Sequence, residues 1–319
     1  MTEKISVIIP YFNEAETIST TIELVAQQTL PPCEVLFVDS NSTDNSFDII
    51  QEWISKNGNR YDTAFRNIRE GTNVPSSSKN VGIRNARYDI LAFMDCGLSF
   101  GRDWLQKQME FLKASRLDIV SGVCYFEGVT LIDKSAIAQT YGYKRFCPTV
   151  PSSLVKKLVF EKTGHFLEGR RAGYDVDWAN KLKALDIIRG INFDAVIRYN
   201  GINYGKSLKE IFLKNMAYSQ PTIGLYKYYY PYYYLFLALL AVLGILFYGT
   251  AALPFVALYF FSRGYLIPVF KSGGGRLFYE YPLSLLVLPV VGLTIDAGKL
   301  TGYLKGAVKY IFNMISKRG

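Results

Sequence analysis

The 319-residue sequence predicts an α/β fold, a mostly parallel sheet flanked by helices and followed by C-terminal membrane helices. Two observations lead to this prediction. In the first part of the chain, short apolar runs that end in polar residues alternate with helical segments, which is typical of parallel sheets. From Tyr232 onward, two neighbouring stretches are nearly free of charge, and each approaches the roughly 20 residues that a bilayer crossing needs.

The strands and helices follow one another in order. We expect strands at residues 5–9, 35–38, 64–68, 90–94 and 119–123. We expect helices between them, at about 14–26, 46–55, 76–87 and 103–112. Ligands of such sheets bind beyond the carboxyl ends of the strands, so the polar residues that follow each strand are candidate site residues.

Composition narrows the possible chemistry. The net charge of +9 suits an anionic ligand, such as a diphosphate or anionic lipid. No nucleic-acid motif accompanies the charge, so we expect no nucleic-acid partner. The four Cys form no CxxC pair, and the single histidine, His165, excludes a His-rich metal site and disfavours a Ser-His-Asp triad. We interpret His165 as a loop or acceptor-site residue.

Polar clusters follow the first two predicted strands. Asp39 ends the second strand, where its carboxylate can accept a hydrogen bond from a nucleobase N–H. Glu14 and the backbone at Pro10 and Tyr11 would line the same pocket. The alternative for Glu14 is an acid at a helix N-terminus, and Asp44 fits a helix-capping role better than Asp39 does.

Asp95 follows the strand at 90–94, and a carboxylate at that position needs a partner. A divalent metal ion that bridges a diphosphate would be such a partner. Lys79 and Arg84 place cations near the expected diphosphate, although each could equally be a solvated surface charge.

A further acidic pair starts a later helix. The Gly173–Tyr174 turn would present Asp175 towards the pocket, which makes Asp175 the candidate general base. Asp177 is the rival, and both could be plain N-terminal helix acids. Glu168 and Arg171 precede this turn on a predicted loop, where they could contact the acceptor or the diphosphate.

Five segments together resemble the family 2 glycosyltransferases with the GT-A fold. They are residues 6–18, 38–44, 79–83, 93–97 and 172–178. The resemblance implies an inverting transferase with an α/β, GT-A type sheet. It also implies a nucleotide-sugar site, with these residues: Pro10, Tyr11, Glu14, Asp39, Lys79, Asn80 and Asp95.

The chain departs from that family at the metal motif. Gly97 stands where a second Asp is expected, and the family's metal-binding His has no counterpart near 197–201. A Mg²⁺ or Mn²⁺ ion would then depend on Asp95, the diphosphate and water, and Gly97 could instead leave room for a sugar. The Gln-x-x-Arg-Trp motif of processive synthases is absent, which favours transfer of a single sugar.

We predict a catalytic domain at residues 1–215 and a membrane-associated region at 216–319. Crossings are expected at about 231–249 and 250–270, with an interfacial or re-entrant segment at 281–295 and a basic amphipathic tail. The alternative is a pair of buried core helices. Met1–Lys4 leads straight into a strand without a signal-peptide pattern, so we expect a cytosolic catalytic domain at a membrane, the bacterial inner membrane.

The resulting hypothesis is transfer of one sugar, with inversion, from a nucleoside-diphosphate sugar to the hydroxyl of a lipid-linked or glycan acceptor at the cytosolic membrane face. The product would serve polysaccharide or glycoconjugate biosynthesis. Three alternatives stay open. They are a polyprenyl-phosphate glycosyltransferase, a non-catalytic relative that binds nucleotide-sugar or scaffolds an assembly, and a nucleotidyltransferase, for which the expected Gly-rich loop is absent.

Overall fold

The computed structural model describes residues 4–200 and 207–316. The chain divides into two compact units. Unit 1 comprises Met1–Tyr125 and Phe146–Asn200, and unit 2 comprises Phe126–Arg145 and Gly201–Gly319. The predicted domain boundary near residue 215 stays a prediction.

Eight strands form one sheet. They are β1 (Ile5–Tyr11), β2 (Glu34–Asp39), β3 (Ala64–Arg69), β4 (Ile90–Phe93), β5 (Ser99–Phe100), β6 (Ile119–Glu127), β7 (Phe146–Lys156) and β8 (Arg189–Asn200). Their order across the sheet is β3-β2-β1-β4-β7-β6-β8-β5.

The α-helices, in chain order, are α1 (Ile18–Ala26), α2 (Ser46–Asn57), α3 (Pro75–Asn85), α4 (Trp104–Ser115), α5 (Leu131–Thr140), α6 (Leu158–Thr163), α7 (Tyr174–Ala184), α8 (Leu208–Ser219), α9 (Tyr230–Tyr248), α10 (Leu253–Phe261), α11 (Ile267–Ser272), α12 (Arg276–Glu280) and α13 (Ser284–Ser316). Short 3₁₀ turns and one π-helical turn, Ser262–Leu266, connect some of them.

The sheet confirms the α/β class and is mixed in direction. β1 pairs in parallel with β2 and with β4, and β2 pairs in parallel with β3. Beyond β4 the pairs β4–β7, β6–β7 and β5–β8 are antiparallel. In the parallel half, Tyr11 lies opposite Asp39 and Ile8 lies opposite Phe93. The residues that follow β1, β2 and β4 therefore emerge at one edge of the sheet.

Helix α3 packs directly on β1 because Gly82 has no side chain. A Cβ at Gly82 would collide with the side chain of Ile8. Both residues border a core that also contains the aromatic side chains of Phe93, Phe160, Phe166 and Trp178. Close packing of this kind leaves little room for movement, so the core fixes α3 against the sheet edge.

Helix α1 begins later than the sequence predicts. It starts at Ile18, four residues beyond Glu14. Asn13 has a positive φ of 54°, which is incompatible with continuing a helix there. The backbone N–H of Glu14 donates instead to Ser46 Oγ at 2.8 Å, so the segment after β1 is a loop held by the first residue of α2.

In unit 2, a buried polar network joins three helical segments. Arg263 Nε donates to Asp296 Oδ2 at 2.6 Å, and the hydroxyl of Tyr259 donates to the same oxygen at 2.7 Å. Gln139, on α5, accepts from the Arg263 guanidinium and donates to the carbonyls of Arg263 and Leu288. The network ties α5 to the π-helical turn and to α13.

Two helical segments of unit 2 are long and apolar enough to cross a membrane, namely Tyr230–Ser272 and Ser284–Ser316. Only 6% of the most apolar window in the first is buried, which weakens the reading of that segment as core helices. Gly249, with a φ of 55°, separates α9 from the later helices of the first segment, close to the turn the sequence predicts. Residues 284–295 of the third apolar segment and residues 296–316 of the basic tail form one helix, α13.

Candidate active site

Hydrogen bonds from backbone N–H groups to side-chain oxygens join the loops after β1 and β2. Asn13 N donates to Ser42 Oγ at 3.0 Å, and Thr43 N donates to Asn13 Oδ1 at 2.8 Å. Ala15 N donates to Asp44 Oδ2 at 3.1 Å. Asp44 therefore belongs to the loop framework, as the helix-capping interpretation expected, and leaves Asp39 as the acid that faces the edge.

Asp39 is a buried acid at the end of β2, with 1% of its surface exposed. Its Oδ1 accepts from Ser42 N at 2.9 Å, and its Oδ2 lies 3.9 Å from Arg69 Nε. Its neighbour on β1, Tyr11, donates its hydroxyl to Asn67 Oδ1 at 2.8 Å. Burial, reinforced by the charge of Asp39, raises the pKa of Tyr11, so the phenol stays a neutral donor. Pro10 is buried beside them in β1.

The carboxylate of Asp95 has a partner on each oxygen. Lys79 Nζ donates to Oδ1 at 2.9 Å, and the hydroxyl of Tyr199 donates to Oδ2 at 2.9 Å. The Lys79 side chain is 3% exposed, whereas that of Asp95 is 30% exposed. Lys79 thus lies behind Asp95, on α3, and the solvated surface charge considered for it is excluded.

The ammonium of Lys79 keeps its proton. Burial alone would lower its pKa, but the charge of Asp95 and the ring and hydroxyl of Tyr174 outweigh burial and raise the pKa. The Lys79 nitrogen lies 5.9 Å from the centre of the Tyr174 ring. A permanent positive charge is therefore fixed at the edge of the sheet, between α3 and α7.

Glu14 lies beside Gly97. Gly97 is two residues after Asp95 and occupies the position where the family has its second acid. A Cβ built on Gly97 would be 3.7 Å from Glu14 Oε2 and 3.6 Å from Thr17 Oγ1. The carboxylate of Glu14 accepts a hydrogen bond from the Thr17 hydroxyl. Burial raises the pKa of Glu14, and the nearby Asp95 charge raises it further. Glu14 thus lies near the charge of Asp95, and its predicted place in the pocket of Asp39 stays a prediction.

These residues do not form a ready metal site. Among residues 4–200 and 207–316, no group of three or more His, Cys, Asp or Glu side chains is arranged to hold an ion. Gly97 also has a φ of +76°, a backbone conformation in which a side-chain ligand would be strained. Asp95 would be the single carboxylate ligand, and each of its oxygens already accepts a hydrogen bond, so the described side chains do not fit a bound Mg²⁺ or Mn²⁺.

Asn80, the residue after Lys79, faces away from this cluster. Its Nδ2 donates to the carbonyl of Phe166 at 2.8 Å and its Oδ1 accepts from Phe166 N at 3.0 Å. It also lies 3.3 Å from Glu168, which pairs with Arg84 at 2.9 Å. The hydrogen bond from Arg84, followed by that from Asn80, lowers the pKa of Glu168. Asn80 and Glu168 hold the loop before α7 in place.

The two acids of α7 differ in their surroundings. Asp177 is 3% exposed and its Oδ2 pairs with Lys181 Nζ at 2.8 Å, one helical turn away. Asp175 is exposed in the first turn of α7. Burial and the charges of Asp95 and Asp175 raise the pKa of Tyr174, which lies among these groups. Asp175 is the acid of this pair that is free to meet a substrate from solvent.

The structure thus brings together Asp95, Lys79, Glu14 and, around Tyr174, Asp175. Tyr11 and Asp39 form a neighbouring pair on β1 and β2. Arg171 is exposed on the loop before α7. Sequence reasoning did not assign a role to Tyr174, although it lies within the quoted 172–178 segment, and it named Tyr199 only as standing near the position of a missing His.

A cavity in unit 1 does not involve these residues. It has a volume of about 400 Å³ and is lined by residues of β5, α4 and β8, among them Phe100, Trp104 and Arg198. The candidate site is instead an open cluster at the carboxyl ends of β1, β2 and β4, where ligands of α/β sheets bind.

A family model for glycosyl transferase family 2 matches residues 6–177, which include every strand end described above. The chain belongs to this family. The matched range begins in β1 and ends in the first turn of α7, so it contains both Asp95 and Asp175.

Known family members and neighbours agree with this assignment. The glycosyltransferase AglE of Haloferax volcanii is 28% identical over 221 residues, which cover 65% of this chain and 70% of AglE. The putative teichuronic acid biosynthesis glycosyltransferase TuaG of Bacillus subtilis is 32% identical over 108 residues, 34% of this chain and 41% of TuaG.

A solved structure shows the same fold. The mannosyltransferase PcManGT of Pyrobaculum calidifontis, in complex with GDP-Man and Mn²⁺, superposes with a TM-score of 0.59 at 18% identity and covers 94% of this chain and 88% of PcManGT. The fold of this family 2 glycosyltransferase is therefore of the GT-A type, as the sequence predicted, and the chain is a transferase.

Proposed function

We propose that this family 2 glycosyltransferase transfers one sugar from a nucleoside-diphosphate sugar to an acceptor hydroxyl, with inversion at the anomeric carbon. The observation that carries the proposal is the cluster at the sheet edge. A buried cation, Lys79, and three acids, Glu14, Asp95 and Asp175, lie around Tyr174 and Gly97 at the place where ligands of such sheets bind.

The donor would lie with its base towards β2 and its diphosphate towards Asp95. Asp39 and Tyr11 border the β1–β2 end of the edge, where a carboxylate and a phenol can hydrogen-bond a base or ribose. The positive charge of Lys79 lies further along the edge. GDP-Man in PcManGT supports a nucleotide-sugar donor for this chain.

Transfer would be a single displacement. Deprotonated Asp175 accepts the proton of the acceptor hydroxyl as its oxygen bonds to the anomeric carbon. The bond from that carbon to the diphosphate oxygen breaks on the opposite face, and the electron pair leaves with the nucleoside diphosphate. The Mn²⁺ of PcManGT supports divalent metal use in the family, but no step is assigned to an ion because the described side chains do not form a site for one.

A lipid-linked acceptor at the cytosolic face of a membrane, such as the bacterial inner membrane, completes the proposal. Two long apolar helical segments of unit 2 support membrane association. Lys271, at the end of the first segment, and Arg276, between the two segments, favour a cytosolic position for the connection. The name of TuaG supports a role in glycan biosynthesis.

A donor screen tests this function. The purified full chain would be heated with uridine, guanosine and thymidine diphosphate sugars, each with and without Mg²⁺ or Mn²⁺. We expect one nucleotide class to raise the melting temperature, because a ligand that binds only the native state stabilises it. Radiolabelled sugar from that donor should then pass to a lipid extract.

The form of the product separates the two acceptor classes. A glycosidic linkage to a lipid-linked sugar supports the hydroxyl acceptor and the role of Asp175 as a base. A sugar attached directly to a lipid phosphate would favour the polyprenyl-phosphate alternative, because an ionised phosphate needs no base. Binding of the donor without transfer to any lipid would overturn the lipid acceptor.

A further inference from the structure

Asp95 is already neutralised by the protein itself. One of its oxygens accepts from Lys79 Nζ at 2.9 Å and the other from Tyr199 OH at 2.9 Å. A divalent ion binds carboxylate oxygens that are open to it, and Mg²⁺ gives up its water reluctantly. An ion at Asp95 would have to share the carboxylate with the Lys79 ammonium, whose positive charge repels a second cation.

The neighbouring groups do not supply replacement ligands. Gly97 contributes no side chain, and the Glu14 carboxylate next to it accepts from the Thr17 hydroxyl. No metal-binding group of three acids, His or Cys exists in residues 4–200 and 207–316. Residues 201–206, which separate these ranges, contain none of the four residue types.

The Lys79 ammonium, in contrast to a metal ion, is a positive charge that the protein itself holds at the site. The Lys79 side chain is only 3% exposed. It lies on α3, a helix that packs directly against β1 because Gly82 has no side chain. An ammonium has three N–H donors, and Asp95 takes one of them. Tyr174 takes a second donor, which leaves one N–H of the ammonium for an oxygen of a diphosphate that lies beside Asp95.

We propose that the Lys79 ammonium takes the place of the divalent ion in this enzyme, bridging Asp95 to the donor diphosphate. This inference rests on the proposed function. As the anomeric C–O bond breaks, its electron pair moves to the diphosphate oxygen, and Lys79 stabilises that charge by hydrogen bonding without giving up a proton. The acceptor proton goes to Asp175, so the step balances without a metal.

Binding of a nucleoside diphosphate to the full chain tests this role apart from turnover. Uridine, guanosine and thymidine diphosphate would be titrated calorimetrically in the presence of EDTA and again with Mn²⁺. For the nucleotide that binds, we expect the same affinity in both conditions. Loss of wild-type binding in EDTA, restored by Mn²⁺, would overturn the proposal.

The variant Lys79→Ala should bind the same diphosphate about tenfold to hundredfold more weakly in EDTA, the range expected for a lost hydrogen bond to a charged group. Because the change frees Asp95, Mn²⁺ should now restore part of the affinity. Electron paramagnetic resonance should show Mn²⁺ bound to Lys79→Ala with the nucleotide and only nucleotide-bound Mn²⁺ with the wild type. Wild-type affinity in the EDTA-treated variant would contradict the role of Lys79.

Two further variants serve as controls that distinguish a loss of binding from misfolding. Lys79→Ala combined with Asp95→Asn leaves no unpaired buried carboxylate, and we expect weak binding that Mn²⁺ does not restore. Lys56→Ala removes an exposed lysine, also paired to an acid, Glu52, and should bind as the wild type does. Wild-type binding by the double variant would overturn the proposal. A wild-type chain that binds none of the three diphosphates would overturn the proposed function itself.

Discussion

Asp175 and Asp177 lie in the same turn of α7, but their surroundings differ, and this difference suggests different roles. Asp177 is buried against Lys181, whereas Asp175 is exposed near Tyr174. A general base must reach the acceptor hydroxyl, and a buried acid that already holds a lysine is poorly placed to do so. The contrast supports Asp175 as the base and Asp177 as a support for the start of the helix.

We expect Asp175→Asn to lower turnover by about 10²- to 10⁴-fold, the usual contribution of a general base, with donor affinity and melting temperature unchanged. Transfer rates at saturating donor, together with a thermal melt, would measure both. The matched variant Asp177→Asn should instead lower the melting temperature, because Lys181 loses its partner. Turnover that survives in Asp175→Asn would remove this residue from the mechanism.

At the scale of single residues, the sequence identified most of the acids but not their partners. Asp39, Asp95 and Asp175 were predictable because each follows a strand or starts a helix. The partner of Asp95 was not, since Tyr199 lies 104 residues away and its contact depends on how β8 is placed. The sequence placed Lys79 near the expected diphosphate but did not predict its burial, because a lysine in a sequence does not reveal whether its charge is solvated or buried.

At the scale of elements, helix α3 contacts both Asp95 and the loop before α7. Consecutive residues of a helix point about 100° apart. Lys79 therefore reaches Asp95, while Asn80 bonds the backbone of Phe166 on the loop before α7. The position of Asp175 thus depends on a side chain that itself need not touch substrate.

We expect Asn80→Ala to destabilise the protein by about 1–3 kcal/mol, because buried backbone groups of Phe166 would lose their hydrogen bonds. Limited proteolysis should then cut the 164–173 loop faster, and turnover should fall more than donor affinity. Asn85→Ala, an exposed change on the same helix, serves as the control and should behave as the wild type. Equal cutting rates for the two variants would contradict the positioning role.

The sequence predicted the early strands and helices well because each combines apolar periodicity with a polar stop. In the later antiparallel part, the sequence predicted β6 but not β5 or β7. β5 has only two residues, and β7 contains Pro148 and Pro151, which a strand pattern does not ordinarily tolerate. The late start of α1 depended on a hydrogen bond to the first residue of α2, which is a tertiary interaction that periodicity does not report.

At the scale of the whole molecule, the apolar segments of unit 2 make membrane topology testable. If Tyr230–Ser272 crosses twice, with its turn at Gly249, the turn should face away from the cytosol and the Lys271–Arg276 connection should face it. The four native cysteines lie between residues 33 and 147 and should all be cytosolic.

A membrane-impermeant maleimide would check this topology in intact cells that express the full chain. We expect no labelling of the wild type, clear labelling of Thr250→Cys, and labelling of Gly275→Cys only in a cysteine-free background after permeabilisation. The wild type is the internal control, since its own cysteines would report a reversed orientation. Protection of Thr250→Cys in intact cells would contradict the pair of crossings.

The pairing of Arg263 with Asp296 has a consequence for biogenesis. These residues are 33 positions apart, on separate helical segments, and each charge alone is costly in hydrocarbon. During synthesis, Arg263 leaves the ribosome well before its partner. If both segments cross a membrane, the charge of Arg263 would need a polar environment until α13 brings Asp296 to neutralise it.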